Sequence, residues 1–185
     1  LVHAEQLNGK ELSYNNLLDL DSALHIARSF QQPAVSVIKH NNPCGAAVAE
    51  DLGDATRKAM AGDPLSAFGS VLGFNRSVDA GAAEILSEPG LFIEAIVAPG
   101  FEEKALEILT TIPKWKKNVR LMLVGELGDQ QAPLQPRHID GGMLLQVADN
   151  LPDEPGQWDI VTSTQPDEKE LSELEFAWQI VRHIK

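Results

Sequence analysis

Apolar runs of strand length alternate with segments of helical periodicity along the first two thirds of the chain. The runs rich in Val, Ile and Leu predict buried strands over residues 33–39, 69–74, 91–98 and 118–125. The helical patterns between them cover residues 54–62, 78–87 and 101–112. An earlier helix, which Asp19 or Asp21 would cap, is predicted to run to about Phe30. Strands that alternate with helices predict an α/β fold with crossover helices.

The last third of the chain has a different pattern. Residues 130–155 are rich in Pro, Gly, Asp and Gln, with one predicted strand over 141–147, and they indicate an irregular arm or hairpin. A final helix is predicted with Pro166 in its first turn. Its apolar stripe consists of Leu171, Leu174, Trp178, Val181 and Ile184.

The predicted organisation is therefore an α/β lobe over residues 1–128, an arm over 129–165 and a helix over 166–185. The chain starts without a methionine, so we expect it to be a piece of a longer protein.

Composition limits the classes of function. With 43% hydrophobic and 23% charged residues, the 185-residue chain is typical of a soluble globular protein. A formal net charge of −12 argues against nucleic acid as a partner, because phosphate binding needs clustered Lys and Arg. No apolar run approaches the roughly 20 residues that span a bilayer. A small anionic ligand stays possible, through local cations or backbone amides.

The segment "VIKHNNPCGAA", residues 37–47, concentrates reactive residue types behind a predicted strand. A zinc deaminase site would need the patterns H-x-E and P-C-x-x-C. His40 is followed by two Asn, and Cys44 is the only cysteine of the chain. We therefore predict no metal site here, and a single cysteine also excludes an internal disulfide.

The same segment leaves other chemistries open. Cys44 could be a nucleophile activated by His40, but a lone Cys beside Gly and Ala is more typical of a small packing residue. No phosphate-binding glycine motif is present, although residues 42–47 could offer backbone amides to a ligand. Lys39 and His40 would point to opposite faces of a strand, and a turn could bring both into one pocket. From these residues alone, an acid/base pair and an ordinary polar turn are equally supported.

Six ordered segments resemble one protein family over nearly the whole chain. They are "LNGKELSYNNLLDLDSA", "VIKHNNPCGAA", "DPLSAFGSVLGFNR", "FIEAIVAPGFEEKALEIL", "GGMLLQ" and "FAWQIVRHIK". They are similar to the aminoimidazole carboxamide ribotide (AICAR) transformylase domain of the bacterial bifunctional purine biosynthesis family. The IMP cyclohydrolase part of that family has no counterpart in this chain.

The resemblance implies an activity and a fold. The family's domain transfers a formyl group from 10-formyltetrahydrofolate to the 5-amine of AICAR, giving FAICAR on the route to IMP. It has two cytidine-deaminase-like lobes, each a three-layer sandwich of a mixed sheet with helices on both faces, without catalytic zinc. This chain resembles the first lobe, and the resemblance further implies a cytoplasmic homodimer with active sites at the dimer interface.

The resemblance also assigns site residues. Lys39 and His40 match the catalytic pair. The substrate-binding positions are Asn16, Asn41, Gly45, Ser66, Phe68, Gly69, Glu94 and Pro99. Among these, Glu94 corresponds to an acid at the ribose, and the backbone of Phe68 and Gly69 lines the base pocket. By residue type alone, a solvated strand residue is the less favoured alternative for Glu94, and Asn16 could equally be a turn or cap residue.

Part of the family's site is absent from this sequence. The upstream Arg-Tyr contacts to phosphate are missing, as are the Asn, Arg and Phe of the second lobe. An alternative is therefore a fragment that folds or dimerises and binds ligand weakly, without being catalytically competent alone.

The chemistry explains why such a family uses Lys and His. The amine of AICAR is a weak nucleophile, because its lone pair is delocalised into the ring and the carboxamide. Attack on the formyl carbon creates an oxyanion and a cationic nitrogen. His40 can shuttle the proton, since histidine titrates near neutral pH, and the Lys39 ammonium can stabilise the oxyanion and protonate the leaving nitrogen.

Overall fold

The structure, a computed structural model, describes residues 1–128, 134–148 and 153–184. They belong to two compact units. The first comprises Leu1–Leu127 with Ile180–Lys185, and the second comprises Gly128–Gln179. None of the helices within the described ranges is long and apolar enough to cross a membrane.

The first unit is built on a mixed six-stranded sheet. Its strands are β1 (Glu5–Asn8), β2 (Ala34–Lys39), β3 (Asn42–Val48), β4 (Ser70–Phe74), β5 (Ile93–Ala98) and β6 (Arg120–Leu123). Their order across the sheet is β1-β6-β5-β4-β2-β3. The neighbours β4, β5 and β6 run parallel, and the other neighbouring pairs run antiparallel. The predicted α/β class is confirmed, with strands at all four predicted apolar runs.

Helices cover both faces of this sheet. They are α1 (Tyr14–Ala27), α2 (Leu52–Ala61), α3 (Ala80–Leu86) and α4 (Glu103–Thr111). On the α1 face, the Ser36 hydroxyl donates to the Ala23 carbonyl at 2.7 Å. Gly73 lies on the same face, where a Cβ would come within 2.4 Å of the Ala23 carbonyl group. Only glycine allows the helix to approach the sheet this closely.

The larger hydrophobic core lies on the opposite face, beneath α2, α3 and α4. Side chains alternate along a strand, so Val37 enters this core while its neighbour Ser36 faces α1. The core residues with essentially no exposed surface include Phe74, Leu72, Leu86, Ile96, Leu109 and Leu121. This packing holds the strands of the sheet, and so their ends, in fixed positions.

The start of α1 differs from the prediction. Asp19 and Asp21 lie inside the helix, and Ser13 is the N-cap. The Ser13 hydroxyl accepts from the Asn16 N–H at 3.2 Å, while the Asn16 side chain accepts from the Ser13 N–H at 3.0 Å. This is a capping box with Asn where Glu or Gln is usual, which is why the sequence signal was missed.

The second unit contains a hairpin and most of the last helix. Strands β7 (Gln135–Ile139) and β8 (Gly142–Gln146) pair antiparallel, confirming the predicted strand within 141–147. The parts of the predicted arm at 129–133 and 149–152 lie outside the described residues. A short 3-10 helix (Pro155–Gln157) follows.

The last helix, α5 (Glu168–Val181), is shorter at both ends than predicted. Pro166 precedes the helix, because Asp167 and Glu170 form its cap. The Asp167 carboxylate accepts from the Glu170 N–H at 2.8 Å, and the Glu170 carboxylate accepts from the Asp167 N–H at 2.9 Å. Its predicted apolar stripe is largely exposed, and Trp178 packs edge-on against Trp158 at 5.8 Å within this unit.

The C-terminal residues of the first unit place His183 against α1. Its ring centroid lies 5.1 Å from that of His25, at an interplanar angle of 82°. The Ser29 hydroxyl lies 3.4 Å from Nε2 of His183. Burial lowers the pKa of His183 from 6.5 to about 4, and nearby His25 and Arg182 act in the same direction.

The stability of this unit is expected to fall as the pH drops from about 6.5 to about 4. Over this range His183 binds a proton in the unfolded chain but not in the folded chain. The stabilisation of the fold by neutral His183 is therefore complete only above pH 6.5. Urea unfolding between pH 7.5 and 4 measures the effect. His183→Gln should reduce the dependence of the unfolding free energy on pH. The same dependence in the variant and the wild type would show that His183 does not cause it.

Candidate functional site

A two-residue turn joins β2 to β3 within the segment "VIKHNNPCGAA". Lys39 pairs with Asn42, and between them His40 and Asn41 have φ angles of 52° and 65°. Two consecutive positive φ values are typical of the type I′ turn that closes a tight hairpin. The exposed His40 therefore stands at the tip of a hairpin, directly after Lys39.

Lys39 is held by the segment that precedes β4. Its ammonium donates to the carbonyls of Phe68 and Gly69 at 2.9 and 3.0 Å. Gly69 has a φ of 71° and donates its own N–H to the Phe92 carbonyl at 2.7 Å. The Phe68 ring is 57% exposed and lies 5.5 Å from the Phe92 ring. The structure thus brings together three predicted site residues, Lys39, Phe68 and Gly69.

Glu94 lies near the start of β5, beside Arg120 at the start of β6. The Arg120 Nη1 lies 2.5 Å from the Glu94 Oε1. The Nε and Nη2 of Arg120 donate to the Glu11 carbonyl at 3.2 and 3.0 Å. Arg120 therefore orients the Glu94 carboxylate. The sequence analysis missed Arg120, because no local pattern links it to Glu94, which lies 26 residues earlier.

Strand directions place these groups at one end of the sheet. Because β2 runs antiparallel to β4, the end of β2 lies beside the starts of β4, β5 and β6. We call this the Lys39 end. It carries Lys39, the His40 turn, the Phe68–Gly69 carbonyls and the Glu94–Arg120 pair.

Asn16 belongs to the segment that reaches the same end. Arg120 binds the Glu11 carbonyl, and α1 begins three residues later with Asn16 in its first turn. The Asn16 side chain is buried and bonded to Ser13, so its observed contacts are those of a cap.

Three other predicted substrate-binding residues have different surroundings. Gly45 faces α2, where a Cβ would lie 1.9 Å from the Ala59 carbonyl oxygen. Pro99 follows the last residue of β5 and so stands at the opposite end of the sheet. Ser66 donates its hydroxyl to Asp63 at 2.6 Å and stabilises the turn before Phe68. The strand register puts Gly45 opposite Val37, two residues before Lys39, whereas Pro99 is at the other end of the sheet from Lys39.

Cys44 has the environment of a packing residue. Its thiol lies 3.4 Å from the Val37 carbonyl and packs against the hydrophobic core. Burial raises the pKa of this thiol, which disfavours the nucleophilic thiolate. Within the described residues, no cluster of three or more His, Cys, Asp or Glu could hold a metal ion.

The sequence matches known proteins along its full length. A family model described as AICARFT/IMPCHase bienzyme matches residues 1–185. The chain is 60% identical over 185 residues to the bifunctional purine biosynthesis protein PurH of Rhodopirellula baltica. It is 42% identical over 185 residues to that of Oceanobacillus iheyensis and 44% identical over 186 residues to that of Desulfitobacterium hafniense. Each alignment covers 100% of this chain and 35% of the relative, so the chain spans about a third of the length of these curated relatives.

Proposed function

Because the chain belongs to the AICARFT/IMPCHase bienzyme family, we propose that it forms part of an AICAR transformylase within a longer protein of purine biosynthesis. The proposed reaction transfers a formyl group from 10-formyltetrahydrofolate to the 5-amine of AICAR. The observation that carries the proposal is the Lys39 end of the sheet, where β2 ends at Lys39 and the His40 turn and β5 begins beside Glu94, with β4 between these two strands.

The finer fold assignment is part of the same proposal. A mixed sheet with α1 on one face and α2 to α4 on the other supports a cytidine-deaminase-like sandwich. The lack of the H-x-E and P-C-x-x-C patterns fits such a fold without catalytic zinc.

Lys39 is placed to stabilise negative charge on the formyl oxygen. An ammonium has three N–H donors, and two of them are committed to the Phe68 and Gly69 carbonyls. These bonds fix the position of the nitrogen, so that the third donor can meet the developing oxyanion without reorganisation.

His40 supplies the proton transfer. The amine nitrogen attacks the formyl carbon, the bond from that carbon to the folate nitrogen breaks, and the amine proton passes to the imidazole through the AICAR carboxamide. As the carbon–nitrogen bond breaks, the third N–H of Lys39 passes its proton to the departing folate nitrogen, and the proton taken up by His40 returns to the Lys39 amine through solvent, so that both groups are restored. The exposed position of His40 at the hairpin tip leaves the ring accessible to a bound nucleotide.

Glu94 and Phe68 hold the nucleotide. A carboxylate accepts hydrogen bonds from both hydroxyls of a ribose, and Arg120 keeps the Glu94 group in one orientation. The exposed Phe68 ring offers an aromatic face beside the base. Homodimer formation, use of 10-formyltetrahydrofolate and a cytoplasmic location complete the proposal.

The test is formyl transfer by the full-length protein, with Glu94→Gln as the diagnostic variant. The variant should raise the KM for AICAR about 10- to 100-fold, because a hydrogen bond to a charged group is worth about 1.5–3 kcal/mol. Its kcat and its KM for 10-formyltetrahydrofolate should change little. Glu107→Gln, at an exposed ion pair on α4, is the matched control. Absence of AICAR-dependent transfer in the wild type, or an unchanged KM in Glu94→Gln, would refute the proposal.

A further inference from the structure

We propose that Asp19 and Ser22 of α1 are positioning residues that hold His40 in place through Asn41. This inference rests on the proposed function of His40. It concerns two residues whose hydrogen bonds go to Asn41, so that they act on His40 through the turn.

The contacts form a clamp on the turn. The Asn41 N–H donates to the Asp19 Oδ1 at 2.7 Å. The Ser22 hydroxyl donates to the Asn41 Oδ1 at 2.9 Å. Asp19 and Ser22 are three residues apart on one helix, so their side chains lie on the same face. Asp19 binds the main chain of Asn41, and Ser22 binds its side chain.

The turn needs such a clamp because its backbone conformation is unfavourable. His40 and Asn41 both have positive φ values, which are uncommon for residues with a Cβ, although His and Asn tolerate them better than most. Such conformations persist where surrounding contacts over-determine them, and they concentrate at functional sites. A glycine at position 41 would relieve the strain and also leave the hairpin tip free to move.

The clamp is anchored to a rigid part of the fold. On α1, the neighbouring Leu20 and Ala23 have no exposed surface. The helix is fastened to the centre of the sheet by the Ser36–Ala23 hydrogen bond and by its close approach to Gly73. The position of His40 is therefore set by α1 as well as by the hairpin, and Asn41 is assigned a role in orienting His40 instead of a direct substrate contact.

A positioning role predicts a specific kinetic pattern in the full-length protein. Asp19→Ala should lower kcat about 10- to 100-fold, since a misplacement of about 1 Å can cost that much, while the KM for AICAR changes less than about threefold. Asp19→Asn keeps an acceptor oxygen at the same place and should recover most of the rate. Asp21→Ala removes an exposed acid from the same helix and should behave as the wild type.

Asn41→Gly separates positioning from stability. Glycine adopts positive φ without strain, so the melting temperature should stay equal or rise, while loss of the Ser22 hydrogen bond lowers kcat. A purely structural role for Asn41 would instead leave kcat unchanged in this variant.

A double-mutant cycle with His40→Asn decides the inference. If Asp19 acts through His40, the two substitutions are non-additive, and Asp19→Ala costs little more once the imidazole is gone. The positioning role is refuted if the effects of Asp19→Ala and His40→Asn on kcat are fully additive. It is also refuted if both Asp19→Ala and Asn41→Gly have a normal kcat. Failure of His40→Asn to lower the rate would instead refute the proposed function, so the two failures are distinguishable.

Discussion

Replacing Lys39 with methionine is expected to lower kcat for formyl transfer by about 10²- to 10³-fold, the usual cost of removing one preorganised donor to an oxyanion. Methionine keeps most of the side-chain length but removes the charge and all three N–H donors. The Phe68 and Gly69 carbonyls then lose their shared partner, so a smaller increase in the KM for AICAR should accompany the loss of rate.

Lys39→Arg should not restore the rate. A guanidinium is planar and larger, and it cannot occupy the position defined by two carbonyls at 2.9 and 3.0 Å while pointing a third donor at the same spot. Lys104→Met, at an exposed ion pair on α4, controls for the loss of a lysine. A melting temperature equal to that of the wild type shows that the Lys39→Met variant is folded. A Lys39→Met enzyme with near-normal kcat would eliminate the oxyanion role.

Replacing His40 with asparagine is expected to reduce kcat by about 10²- to 10⁴-fold, the range for removal of a general acid/base group. Asparagine is chosen because it tolerates the φ of 52° at this position, so the hairpin stays intact. A general acid/base group produces a limb of the pH–rate profile, so the profile of the wild type should contain a limb that the variant lacks.

Two comparisons make the His40 result specific. His138→Ala, at an exposed strand residue of the hairpin in the second unit, should have no effect on transfer. His40→Ala should be less stable than His40→Asn, because alanine tolerates a positive φ poorly. Retention of the full pH–rate profile in His40→Asn would show that another group carries the proton.

The elements that were predicted correctly share strong local signals. The strand within 33–39 is rich in β-branched residues, with Val35, Val37 and Ile38. The helix capped by Asp79 has an N-cap side chain that accepts from the Ala82 N–H. The N-terminus of α1 was misplaced because two aspartates inside the helix resembled caps more than Ser13 did.

The strands that were missed have weak local signals. The four residues of β1, "EQLN", show little apolar character and form an outer strand. Strand β3 contains Pro43, which argues against a central strand, but β3 is also at the edge of the sheet, where proline is tolerated. The turn before it lacks the Asn-Gly or Asp-Gly pair that usually announces a hairpin.

The candidate site was predictable only in part. Its main residues were predicted from the adjacency of Lys39 and His40 and from the family resemblance. The Asp19 and Ser22 contacts to Asn41 and the Arg120 contact to Glu94 join residues that lie 19 to 26 positions apart along the chain. Contacts at such separations depend on how strands and helices pack, and no local pattern reports them.

The sequence by itself determined the order and type of most elements, the acidic character of the surface and the placement of Lys39 and His40 at the end of a buried strand. Periodicity encodes which residues are buried, and this is a local property. Only the tertiary structure decided the direction of β2. Its antiparallel pairing with β4 brings the Lys39 end to the starts of β4, β5 and β6, and puts Pro99 at the far end. Strand direction follows from hydrogen bonds and core packing between distant segments. The sequence could therefore predict the residues of the site but not their arrangement in space.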